Sequence, residues 1–173
     1  RTHTGYAAGF GAAPRLDAAA FGELLAGLRR NGLLGGYSGL LTGYVGDAEV
    51  VRAVAAALPE LRRENPGLVW LCDPVMGDNG RYYVSEDCAA AYKDVAPLAD
   101  VLTPNQFELE ALAGFPVRGE ADALRAMGVL HARGVRTVIT SSIQYEGEGA
   151  DAGGEAMVRA LASEVVGGAG AGA

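Results

Sequence analysis

Short apolar runs alternating with helical segments constrain this chain more than any other feature. Four runs have the length and content of buried strands: 39–44 (GLLTGY), 68–72 (LVWLC), 100–103 (DVLT) and 137–142 (TVITSS). Between them the apolar period changes. Phe21, Leu24, Leu25 and Leu28 recur at helical spacing over 17–30, with Asp17 as N-cap and Gly32 as a stop. Val50, Val51, Val54, Leu58 and Leu61 line one face of a second helix over 47–64, which Asn65-Pro66-Gly67 breaks. Further helices are predicted over 85–99, opened by Ser85, over 106–113 and over 120–133. This alternation predicts an α/β fold of three layers, a doubly wound and largely parallel sheet with helices on both faces.

In such sheets ligands bind at the carboxyl ends of the strands. The runs deliver Thr42-Gly43-Tyr44, Asp73, Thr103-Pro104-Asn105 and Thr140-Ser141 to that edge. The stretch CDPVMGDNGRYYV (72–84) adds Asp78 to Asp73, and its glycines let backbone come close to a ligand. Two nearby carboxylates repel unless something positive sits between them. Mg²⁺ would neutralise both, because it binds through one or two carboxylates together with phosphate oxygens and water. Thr103, Asn105 and Glu108 supply further oxygens and an amide, and Thr140 and Ser141 supply hydroxyls.

Taken singly, each residue has a structural reading. Asp-Pro makes a turn. Thr103-Pro104 starts a helix, with Thr as cap and Pro at the first position. Glu108 suits a helix N-terminus. Tyr82 and Tyr83 cover apolar surface, and His131 lies on the surface near a helix C-terminus. The joint placement at successive strand exits is what carries the functional reading. Neither GxxxxGK[ST] nor GxGxxG occurs in the sequence.

Composition narrows the classes. With 173 residues, half of them hydrophobic, the chain can bury a real core as one domain. A net charge of −7 without a basic stripe argues against a nucleic-acid surface. No stretch reaches the roughly 20 apolar residues of a membrane-spanning helix. Two cysteines suit a reducing compartment, with Cys72 as a small core residue. The chain opens on Arg1 without a signal or transit pattern and closes on VVGGAGAGA. These ends read as those of a piece of a longer protein, with 1–142 as the folded domain and 143–173 as a flexible Gly/Ala-rich tail.

The motifs together resemble the pyridoxal kinases of the ribokinase-like superfamily, most closely the plant and algal type. The likeness runs through HTGY (3–6), LTGY (41–44), NPGLVWLCDPVMGDNGRYYV (65–84), VAPLADVLTPNQFELEALAG (95–114) and VITSS (138–142). It implies transfer of the γ-phosphoryl group of ATP to the 5′-hydroxymethyl group of pyridoxal, pyridoxine or pyridoxamine. It implies further that His3 and Thr4 line the vitamin pocket, with Tyr44 packing by the ring. Asp73, Tyr83, Asn105, Glu108, Thr140 and Ser141 would contact ATP, with Tyr83 on a flap. Asp73, Asp78, Thr103 and Glu108 would serve Mg²⁺ and a monovalent cation, K⁺ or Na⁺. Members of the family are cytoplasmic homodimers. The family's first βαβ segment, with a substrate-contacting serine, would precede residue 1. Its GTGD segment would follow residue 142 and does not occur, so no catalytic base is assigned. Two alternatives stay open: a hydroxymethylpyrimidine-type kinase of the same superfamily, and a non-catalytic nucleotide-binding or dimerisation module.

Overall fold

The computed structural model describes residues 16–141, 143 and 160–166. Four parallel strands form the centre of the sheet: β1 (Gly39–Thr42), β2 (Val69–Cys72), β5 (Val101–Leu102) and β6 (Thr137–Ser141). A small antiparallel hairpin, β3 (Gly77–Asp78) and β4 (Arg81–Tyr82), stands apart from them. The last strand, β7 (Ala160–Glu164), runs antiparallel to β6, giving the order β1-β2-β5-β6-β7. The helices are α1 (Ala18–Arg30), α2 (Ala48–Glu64), α3 (Glu86–Val95), α4 (Gln106–Ala113) and α5 (Glu120–Ala132). Among the described residues no helix is long and apolar enough to cross a membrane.

Local chemistry explains where the helices begin. Asp17 caps α1 by accepting from Ala20 N–H, Asp47 caps α2 through Glu49 and Val50 N–H, and Ser85 caps α3 through Cys88 N–H. The sequence reading places the cap of α4 at Thr103, whereas the structure places it at Asn105. Two residues of extended chain therefore separate β5 from α4, and Thr103 is left to the site.

The sheet's period of two divides its faces. Trp70, Cys72, Leu102 and Val138 point to the side where the helices pack, and all are buried. Their neighbours Leu41, Val69 and Ile139 point the other way and are exposed, Leu41 to 74 %. Among the described residues the helical cover thus lies over one face. Burial pushes the Cys72 thiol up to about 12, so this cysteine is a core residue and no thiolate nucleophile.

Two sequence readings are corrected at the far edge. The tail expected from 143 onward contains a strand, β7, whose alanines and serine carry little β-propensity of their own. His131 is not a free surface residue. Its Nδ1–H donates to Val135 O at 2.8 Å, leaving Nε2 to accept from the Ser163 hydroxyl at 3.0 Å. The imidazole therefore ties α5 to the strand that the sequence hides.

Candidate active site

The second parallel strand ends at Cys72, and the chain turns at once. Asp73 N–H donates to Thr42 O at 2.8 Å, so the turn hangs from the end of β1. Pro74 and Met76 are buried beneath it. Asn79 and Gly80 then adopt left-handed φ values of 49° and 74°, the geometry of a two-residue hairpin turn. Asn-Gly between short runs is the signal that identifies this hairpin in the sequence, where the reading stopped at a loop. Gly77 admits no side chain: a Cβ there would overlap the Arg81 carbonyl oxygen and stand 2.6 Å from Phe107 Cε1.

The start of α4 grips the hairpin from the other side. Asn105 and Glu108 form a reciprocal capping box, each side chain accepting from the other's backbone N–H at 2.9 Å. Asn105 Nδ2 also donates to Gly77 O at 2.8 Å. The remaining Glu108 oxygen accepts from Met76 N–H at 2.9 Å and, more distantly, from Gly77 N–H at 3.5 Å. Tyr82 meets Phe107 edge to face at 4.8 Å between ring centres. Glu108 is only 2 % exposed, and burial raises its pKa against the pull of those backbone N–H groups. Both of its oxygens are thus taken up by backbone amides. Glu108 holds the hairpin in place, and its expected contribution to a metal shell is secondary to that task.

Between these elements lies a cavity of about 330 Å³, lined by Asp73, Val75, Gly77, Asp78, Tyr83, Thr103, Asn105, Glu108 and Ser141. Among the described residues no lysine or arginine lines it. The Asp73 carboxyl is half-buried; desolvation raises its pKa, while a hydrogen bond from Thr103 partly opposes the rise. Asp78 accepts from Asn79, at its backbone N–H (2.8 Å) and its side-chain amide (3.0 Å). Among the described residues no three of His, Cys, Asp or Glu form a ready-made metal cluster. The donor set nonetheless fits Mg²⁺ in its usual mode, in which one or two carboxylates hold a cation that phosphate oxygens and water complete. A desolvated carboxylate without a cationic neighbour is the group such an ion would neutralise.

The predicted pair Thr140-Ser141 is split. Successive strand residues face opposite sides, so Ser141 lines the cavity while Thr140 is fully buried beneath the sheet. The Thr140 hydroxyl finds no hydrogen-bond partner among the described residues. Tyr44 lies in an adjoining cavity of about 420 Å³, together with Gly46, Asp47, Glu49, Tyr83, Val84, Ser85 and Asp87. Tyr83 lines both cavities and stands between them. His3 and Thr4 lie outside the described residues.

Comparisons with known proteins bear on the fold and the family. The family model described as phosphomethylpyrimidine kinase matches residues 38–160. The human pyridoxal kinase is 43 % identical over 145 residues, covering 81 % of this chain and 46 % of the relative. The pyridoxal kinase of Arabidopsis thaliana is 41 % identical over 146 residues, 84 % of this chain and 46 % of its own. Among solved structures, the pyridoxal kinase of Leishmania donovani in complex with ADP and pyridoxamine superposes with a TM-score of 0.72 at 37 % identity. That match covers 78 % of this chain and 48 % of the Leishmania chain. The chain spans about half the length of the curated relatives it matches.

Proposed function

This chain belongs to the phosphomethylpyrimidine kinase family, and from that premise we propose that it forms the metal- and phosphate-binding part of a pyridoxal kinase. The whole protein would transfer the γ-phosphoryl group of ATP to the 5′-hydroxymethyl oxygen of pyridoxal, pyridoxine or pyridoxamine. Transfer of this kind asks a protein mainly for positioning and for neutralisation of phosphate charge. The observation that carries the reading is Asp73: a desolvated carboxylate, bonded to Thr103, in a cavity that no basic side chain lines among the described residues.

Each residue has a task in this scheme. Asp73 and Asp78 would hold Mg²⁺, and Thr103 keeps the Asp73 carboxylate oriented. The bound ion would supply charge compensation to the phosphate oxygens. Asn105 and Glu108 hold the hairpin that forms one wall, and Ser141 offers a hydroxyl to phosphate from the opposite wall. Tyr83, between the two cavities, would separate nucleotide from vitamin and shield the transfer from water. Tyr44 would pack against the vitamin ring in the second cavity. A monovalent cation, K⁺ or Na⁺, assembly as a homodimer and a cytoplasmic location complete the proposal. They are supported by the family resemblance and, for location, by two cysteines that are both free and buried.

The decisive experiment is to assay the complete protein with Mg²⁺-ATP on pyridoxal and on hydroxymethylpyrimidine. Formation of pyridoxal 5′-phosphate with little turnover of the pyrimidine is the expected result. The description of the matching family model favours the pyrimidine as a second reading, and the reverse preference would establish it.

A further inference from the structure

Tyr44 sits on a short segment between β1 and α2 that is held at several points by hydrogen bonds from β2, the turn after it and α3. Asp73 N–H donates to Thr42 O at 2.8 Å, and the Trp70 indole N–H donates to Thr42 Oγ1 at 3.1 Å. Beyond Thr42 the anchor comes from α3. The Tyr92 hydroxyl donates to Gly43 O at 3.3 Å, and its oxygen accepts from Val45 N–H. One phenolic oxygen therefore binds the residues on both sides of Tyr44. Tyr92 is 1 % exposed and lines neither cavity, so it cannot touch a ligand itself. On the far side of Tyr44, Gly46 has a left-handed φ of 69°, and a Cβ there would stand 2.6 Å from the Tyr44 hydroxyl oxygen. The ring of Tyr44 thus lies across a glycine whose backbone few other residues would adopt.

We infer that Tyr92 is a positioning residue for the alcohol substrate, setting the height and tilt of the Tyr44 ring by clasping Gly43 and Val45 from beneath. The inference rests on the proposed function, in which Tyr44 is the surface that receives the vitamin ring. The nucleotide side of the site is anchored elsewhere, on Asn105 and Glu108. Loss of the Tyr92 hydroxyl should therefore disturb one substrate and spare the other. A structural role in the core alone would produce no such asymmetry.

The test compares the complete wild-type protein with Tyr92→Phe, which keeps the buried ring and removes the clasp. KM for pyridoxal should rise roughly two- to tenfold, the range a net hydrogen bond supports, with KM for ATP unchanged. Pyridoxal binding measured calorimetrically without nucleotide should weaken by the same factor. Gly46→Ala provides the independent variant: it strains the backbone and crowds the Tyr44 ring, and it should raise KM for pyridoxal selectively as well. An unchanged KM for pyridoxal in both variants, or equal changes for pyridoxal and ATP, would overturn the inference while wild-type turnover left the proposed function standing. A wild-type protein inactive on pyridoxal would overturn the proposed function itself, and the inference with it.

Discussion

Asp73 and Asp100 stand at opposite ends of neighbouring parallel strands, and their surroundings differ in kind. Asp100 precedes β5 at the amino end of the sheet. Its carboxylate accepts from the Arg62 guanidinium at 2.9 Å and from Trp70 N–H at 2.8 Å, and Arg62 also donates to Leu98 O. Asp73 follows β2 at the carboxyl end. It has Thr103 beside it, no cation among the described residues lining its cavity, and a pKa raised by desolvation. The same side chain is a structural clamp at one end and a charge awaiting a partner at the other. The fully buried Thr140 hydroxyl, without a hydrogen-bond partner among the described residues, lies beneath the sheet, away from the Asp73 cavity. A desolvated carboxylate that faces a cavity is a candidate binding group, whereas one clamped by a guanidinium is structural.

The strongest way to break this contrast is Asp73→Asn in the complete protein. Phosphoryl transfer should fall on the order of a hundredfold or more, because charge compensation at the phosphates is lost. The ligand-free protein should melt at a higher temperature, because a desolvated charge has been removed. Titrating Mg²⁺ against activity, with thermal melting alongside, checks both halves; unchanged Mg²⁺ dependence would remove Asp73 from the site. The mirror experiment is Asp100→Ala. It strands Trp70 N–H and leaves the Arg62 guanidinium with Leu98 O alone, so unfolding in urea should show a loss of about 1–3 kcal/mol, with KM values for both substrates unchanged.

A pH series sharpens the comparison further. Asp73 and Glu108 both have folded-state pKa values raised above the ordinary carboxylate range, chiefly by burial. The folded protein then binds more protons than the unfolded chain between the ordinary and the raised values. The stability linked to these groups is present below the unfolded pKa and is lost as pH rises through the folded one. Melting temperatures of the ligand-free protein should carry that downward contribution with rising pH, and saturating Mg²⁺-nucleotide should reduce it. The smallest effect belongs to Thr140→Val. Replacing a buried, unpartnered hydroxyl by a methyl group should leave stability unchanged or raise it by up to about 1 kcal/mol. Nucleotide affinity, measured by calorimetry, should stay the same; a clear loss would return Thr140 to the phosphate site.

Much was legible before any coordinates. The apolar runs and the change of period located the four parallel strands and the five α-helices of the described residues, because burial on a sheet or along a helix stripe leaves its period in the residues themselves. The residues gathered at the strand exits followed from the α/β rule, and Asp73, Asp78, Thr103, Asn105, Glu108 and Ser141 do line one cavity. Other features left weaker local marks. The hairpin is written in Asn79-Gly80, but each of its strands is two residues long, too short for a periodic signal. The strand β7 is built from residues that favour no sheet, and it forms because β6 offers an open edge and His131 reaches Ser163.

What the amino-acid order determined by itself is therefore the class of fold, the end of the sheet where the polar groups gather, and the types of group found there. Tertiary structure alone decided how those groups are used. Glu108 could equally have faced a metal, yet folding brought Met76 and Gly77 N–H to its oxygens. Thr140 and Ser141 look equivalent in sequence, yet the strand's alternation buried one and exposed the other. Tyr92, on which the sequence reading placed no role, came to clasp both neighbours of Tyr44. Periodicity is a property of neighbours along the chain, whereas the partner of a buried polar atom comes from tens of residues away. Only the packed chain determines which partner arrives.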